Sequence, residues 1–131
     1  KKNHINDIDE RQIVAWKWLL KEMNNETTTK IVIVYCPPVP SLLNNRITCI
    51  DDNKSVIDRF AGVCAKCGID FIDMTDIFCG FYEATKKFPR GFPNSQPAIG
   101  HLNVDGHRLV AEQILAYLKN VKSVEHAIYT N

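Results

Sequence analysis

The chain has 131 residues, 45% of them hydrophobic and 24% charged, with a formal net charge of +1. This length suits one domain with a real core. The near-neutral charge gives no reason to expect nucleic acid or an anionic membrane as a partner. No apolar run approaches the roughly 20 residues of a membrane-spanning helix, and Lys1-Lys2-Asn3-His4 leads into polar sequence without a signal-peptide pattern. In chain order, Asp7 and Asp9 supply cap-type carboxylates, and Ile13, Trp16, Leu20 and Met23 recur at the spacing of one helical face. Ile31-Val-Ile-Val-Tyr-Cys36 is a continuous run rich in β-branched residues, as in a strand covered on both faces of a parallel sheet, and Pro37, Pro38 and Pro40 stop it. A polar loop holds Asn44, Asn45 and Arg46.

A second helix is expected to begin near Asp51 or Asp52, with Val56, Phe60, Val63 and Cys67 as its buried stripe and Gly68 as its C-terminal stop. Ile69-Asp-Phe-Ile-Asp-Met74 reads as a second strand. Thr75 or Asp76 is placed to cap a short third helix carrying Ile77, Phe78, Phe81 and Tyr82. Residues 85 to 103 hold Pro89, Gly91, Pro93, Pro97 and Gly100 and form a long loop, a feature often tied to function. A last helix is expected over about 105 to 119, with Val110, Ile114 and Leu118 facing inward and Tyr117 beside them. Strands alternating with helices imply an α/β parallel sheet with crossover helices. Two parallel strands make a poor sheet alone, so further strands are expected from upstream residues or from another chain.

The loop delivers His101 just before the last helix. A histidine at such a place can act as a general base near neutral pH. Gly100 leaves room for close approach, and Asn103 can cap the helix that follows. The string His101-Leu-Asn-Val-Asp-Gly-His-Arg-Leu-Val-Ala-Glu112 resembles the closing block of SGNH, or GDSL-like, hydrolases, in which a catalytic histidine precedes the terminal helix. Lys30-Ile-Val-Ile-Val-Tyr-Cys-Pro-Pro38 resembles that family's penultimate strand, and Gly68-Ile-Asp-Phe-Ile-Asp-Met-Thr-Asp76 its last. The resemblance spans roughly residues 30 to 119.

It implies a three-layer α/β/α fold of flavodoxin-like type, with residues 1–131 as the C-terminal portion of a single domain. It also implies a serine ester hydrolase or acyl-transfer enzyme acting on an ester such as an acylated carbohydrate or lipid, without cofactor or metal. His101 would be the general base. Asn6, in Ile5-Asn6-Asp7, would be the remnant of the oxyanion-hole asparagine.

Three features depart from the family pattern. No Gly-Asp-Ser block occurs, and Ser41, Ser55, Ser95 and Ser123 lie in other contexts, so the nucleophile is expected upstream of residue 1 or is absent, and this chain alone is expected to be inactive. The acid three residues before the histidine is replaced by Ala98, so a Ser-His dyad or a carboxylate from elsewhere would orient the imidazole. Asp105 follows the histidine and suits the helix start. The alternative is a non-catalytic α/β binding or assembly module that has lost the triad. A phosphate-binding Rossmann-like protein fares worse, since neither Gly-x-Gly-x-x-Gly nor a P-loop is present.

The remaining features have plainer readings. His107 suits a helix start, and His4 and His126 carry no signal. Five cysteines, an odd number, read as reduced, mostly buried thiols, with a lean toward the cytoplasm. Cys64-Ala-Lys-Cys67 ends a helix, the wrong polarity for a thioredoxin-type motif; a zinc site needs two further ligands, for which Cys49 and Cys79 are candidates, but no second Cys-x-x-Cys exists. Trp16, Trp18, Phe60, Phe71, Phe78 and Phe81 lie at core spacings. Lys86, Lys87 and Arg90 read as a solvated rim, with an anionic substrate as the alternative. Asn25-Glu26-Thr27 matches a glycosylation sequon, which matters only in a secreted eukaryotic protein.

Overall fold

A computed structural model describes residues 9–129, with side chains described through Lys122. The chain divides into two compact units: one runs through Pro37 and includes Ile50–Asp73, and the other comprises Pro38–Cys49 and the chain from Met74 onward.

The first unit holds α1 (Glu10–Asn25), β1 (Val32–Tyr35), α2 (Lys54–Lys66) and β4 (Asp70–Asp73). Asp9 starts α1 in a capping box: its carboxylate accepts from the Arg11 amide while Gln12 reaches back to the Asp9 amide. β1 and β4 pair in parallel, Val32 opposite Asp70 and Tyr35 opposite Asp73. Because side chains alternate across a strand, Ile33 and Phe71 share a face, and that face meets the helices. Leu20, Val63, Cys64 and Ile69 are buried there, with Ile13, Trp16, Ile31, Ile33, Phe60, Cys67 and Phe71 packed around them. Trp16 meets Phe60 edge-on at 5.2 Å, and Phe60 meets Phe71 at 6.0 Å, a favoured aromatic geometry. Each fully buried aliphatic side chain contributes roughly 1.5–3 kcal/mol.

The expected α2 stripe of Val56, Phe60, Val63 and Cys67 holds, and Gly68 takes the left-handed conformation (φ 72°) that ends the helix. Trp18 departs from its expected core position and is 65% exposed. It lies two residues, hence about 200° of helix, from Trp16, so both cannot face α2. Met23, expected on the buried face, is also exposed. β1 and β4 are half-buried throughout rather than covered on both faces. Among the described residues they pair only with each other, so each keeps an open edge.

The second unit holds β2 (Ser41–Leu43), β3 (Arg46–Thr48), α3 (Thr75–Thr85) and α4 (Val104–Tyr129). β2 and β3 form an antiparallel hairpin where the sequence suggested only a polar loop; Leu43 pairs with Arg46 across the turn. Asn44 and Asn45 both take positive φ (50° and 59°), as a two-residue type I′ turn requires and asparagine tolerates. α3 starts without a side-chain cap; Met74 holds the cap position, and Thr75 is already helical. Phe78 and Met74 are fully buried. α4 runs well beyond the expected end near Lys119. Its inner stripe is Leu109, Val110, Ile114, Tyr117 and Val121, while Leu118 is exposed. Seven residues return a helix to nearly the same face and eight overshoot it, so Tyr117 rather than Leu118 follows Val110.

A disulfide joins Cys49, just after β3, to Cys79 on α3. It corrects the expectation of five reduced thiols and removes the basis of the cytoplasmic lean. Cys36, Cys64 and Cys67 are free thiols. Burial, and then the neighbouring Cys67, push the Cys64 thiol pKa up, which keeps it in its neutral, unreactive form.

Candidate active-site loop

The candidate chemistry sits in the second unit, on the segment between α3 and α4. α3 ends as Lys86 turns left-handed (φ 59°) and its amide donates to the Tyr82 carbonyl. The Thr85 hydroxyl caps the same end, donating to Phe81 O and accepting from the Lys87 amide. The Tyr82 and Phe88 rings then meet at 4.8 Å, tilted by 33°.

Although it contains no helix or strand of its own, the loop is extensively self-bonded. Its two limbs run antiparallel, with Arg90 opposite Leu102. The Gly91 amide donates to His101 O (3.0 Å), the Asn103 amide to Pro89 O (3.1 Å) and Arg90 Nη1 to Gly100 O (3.1 Å). At the tip, the Ser95 amide donates to Phe92 O, and the Ser95 hydroxyl accepts from the Phe92 amide at 2.8 Å. Gly91 adopts φ 85°, and a Cβ there would lie 3.1–3.2 Å from the carbonyl oxygens of Gln96 and Ile99. The tip therefore folds tightly onto residue 91.

Asn103 links the loop to α4. Its Oδ1 accepts from the Gly106 amide at 3.0 Å, and its Nδ2 donates to Phe88 O at 2.8 Å. The expected cap is present, and the same side chain also ties down the loop's first limb. Gly106, three residues on, admits the Pro89 carbonyl against the first turn of α4. In sequence, Asn-x-x-Gly at a helix start was the available signal for this close approach.

His101 is exposed, and its backbone is held by Gly91. Among the described residues its imidazole has no hydrogen-bond or charged partner. Asp105 does not orient it; that carboxylate pairs with Arg108 at 3.6 Å, and Arg108 in turn with Glu112 at 2.7 Å. Ala98, at the position of the family's acid, is buried with φ 67°, a conformation costly for a residue with a side chain. The Ser95 hydroxyl is committed to its turn with Phe92. His107 is exposed in the first turn of α4. Asn6 lies outside the described residues, as do His4 and the side chain of His126.

An open cleft of about 350 Å³ runs along this loop, lined by Lys86, Lys87, Arg90, Phe92, Asn103 and Asp105, among others. The sequence showed the cations but not the cleft that gathers them. In the first unit, a second polar group surrounds Asp51, which is buried at 6% exposure. It accepts from Tyr35 Oη at 2.6 Å and from the Asn53 amide at 2.9 Å. Burial and then the Asp51 carboxylate push the Tyr35 pKa far up, so the phenol stays protonated and donating. This group ties the end of β1 to the entry of α2. Cys49 and Cys79, the two cysteines considered for extending Cys64-x-x-Cys67 into a zinc set, are bonded to each other. Among the described residues no cluster of three or more His, Cys, Asp or Glu side chains could hold a metal ion.

Fold and site together define a mixed α/β protein, with four helices and four short strands among the described residues and its candidate chemistry on one loop. Among those residues no helix is long and apolar enough to cross a membrane. Comparison with protein-family models, curated proteins and solved structures gives no match.

Proposed function

We propose that this chain is the histidine-bearing portion of an SGNH-like serine ester hydrolase or acyl-transfer enzyme of three-layer, flavodoxin-like architecture. His101 is its general base, and an ester of a small acylated carbohydrate or lipid is its substrate. The observation that carries this reading is the setting of His101: an exposed imidazole with no partner among the described residues, on a loop fixed by Gly91 on one side and by the capped start of α4 on the other. Such an imidazole can accept a proton from a serine hydroxyl brought to it, because no internal hydrogen bond must first be broken. The open edges of β1 and β4 are consistent with further strands from upstream residues or another chain.

The test places His101→Ala in the protein with its upstream segment and follows hydrolysis of a short-chain aryl ester. Loss of turnover by a factor of about 10³ or more is expected for a catalytic base; unchanged turnover overturns the assignment.

A second reading rests on Ala98. With a buried alanine in place of the acid, and no acceptor on His101, the chain also fits a binding or assembly module that has lost its triad. A fluorophosphonate probe separates the two: it labels a serine of the intact protein if the hydrolase reading holds and none if the module reading does.

A further inference from the structure

The cleft along the loop has an uneven charge, and His101 is not among its lining residues. Lys86, Lys87 and Arg90 line it along the first limb of the loop, and Asp105 is the only carboxylate among its lining residues. That carboxylate is already shared with Arg108. Lys87 is exposed, with no ion pair for its ammonium among the described residues, while Lys86 rests its ammonium 5.6 Å over the Tyr82 ring. Arg90 is half-buried and fixed by its bond to Gly100 O, so its guanidinium is held in place at little further entropic cost. Phe92 is 50% exposed and lines the same cleft, offering a flat apolar face next to the cations. The positive end of the α4 dipole, at Asn103, points the same way in charge.

The cleft is open to solvent, but its framework is fixed. The walls are the limbs already joined by the Gly91–His101, Asn103–Pro89 and Arg90–Gly100 hydrogen bonds, and the tip carrying Phe92 is closed by Ser95. A cleft of about 350 Å³ falls in the range of small-ligand sites. His101 contributes the carbonyl that holds Gly91, a cleft-lining residue, so a ligand seated there lies beside the histidine backbone.

We propose that this cleft binds an acidic sugar, its carboxylate or phosphate group held by Lys86, Lys87 and Arg90 and its ring laid on Phe92. Binding stands independently of catalysis. Its use to anchor the substrate beside His101 rests on the hydrolase reading, and the two are tested apart.

The 131-residue chain, labelled with ¹⁵N, is titrated with glucuronate, glucose 6-phosphate and glucose while the amide signals of Arg90, Gly91, Ser95 and Asn103 are followed. Saturable shifts of these amides with either acidic sugar, and at least tenfold weaker binding of glucose, are expected; which acid binds tighter identifies the anionic group. The exposed double substitution Lys86→Gln/Lys87→Gln is expected to weaken binding at least tenfold while the rest of the spectrum stays in place. Lys87→Arg, which keeps the charge, is expected to retain it. Shifts that do not saturate, equal binding of glucose, or unchanged affinity in the double variant each overturn the site. Saturable binding in a protein whose His101→Ala variant hydrolyses esters normally would leave the cleft standing and remove the hydrolase reading alone.

Discussion

The carbonyl oxygen of Pro89 lies 2.2 Å from where a Cβ on Gly106 would have to sit. Real side chains never tolerate that distance, and the obstacle is backbone rather than a mobile side chain. The glycine therefore allows α4 to begin directly against the loop that carries His101. Gly106→Ala should displace Pro89 or unwind the first turn of α4, at a cost on the order of 3 kcal/mol. Urea denaturation followed by circular dichroism measures it. A loss below about 0.5 kcal/mol would show that the loop and helix do not meet so closely.

Asn103 makes two bonds that can be separated by substitution. Alanine removes both the cap on Gly106 and the donor to Phe88 O, and about 1–2 kcal/mol of stability should go with them. Aspartate keeps the cap and the favourable charge at the helix start, but it turns an acceptor toward the Phe88 carbonyl. Asn103→Asp should hold the stability of α4 better than Asn103→Ala, yet expose the Phe88 region to faster amide hydrogen exchange. Equal exchange in the two variants would deny the second bond.

These two residues mark how far the sequence could be read. Asn103 as a cap, Gly68 as a helix stop, the α2 stripe and the two strands were legible because each depends on neighbours within a few positions. The hairpin is hard to read because Asn44-Asn45 sits in a polar stretch, although two asparagines between Leu43 and Arg46 suit a type I′ turn. Trp18 departs from expectation because hydrophobicity alone does not say which side of a helix has a neighbour. The Cys49–Cys79 bond, the Pro89–Gly106 approach and the lysine-lined cleft depend on residues brought together by folding. Their partners are 30 and 17 positions apart for the first two; the glycine of Asn103-x-x-Gly106 is a local sign that something approaches the helix, but not of what.

Tyr35 and Asp51 give a stability effect with a definite pH window. The Tyr35 pKa is raised in the folded state above its ordinary value of 10.0, chiefly by burial and then by the Asp51 carboxylate. Folding therefore favours the protonated phenol. Its contribution is fully present below pH 10 and is lost as the pH climbs through the folded-state value, because the unfolded chain ionises first. Tyr35→Phe leaves the buried Asp51 with one donor fewer and should cost roughly 1–3 kcal/mol at pH 7. The same substitution should flatten the fall in stability above pH 10, read from urea midpoints across the alkaline range. An alkaline slope identical to that of the wild-type chain would rule out Tyr35 as its source.

The disulfide closes 30 residues of chain between Cys49 and Cys79, tying the end of the hairpin to α3. By the loop-closure argument, a cross-link over that span stabilises the folded state by about 3–4 kcal/mol, mainly by restricting the unfolded chain. Alkylation of the denatured, unreduced protein should modify three cysteines, Cys36, Cys64 and Cys67, and all five only after reduction. Reductant should lower the Tm of the wild-type chain by several degrees. Cys49→Ser/Cys79→Ser should start from that lower Tm and no longer respond to reductant. Because both cysteines lie in the unit that carries the His101 loop, the decisive control is the amide spectrum of residues 86 to 103. If reduction leaves those signals in place while Tm falls, the bond acts on stability alone; if they move, it also holds the loop and the cleft in shape.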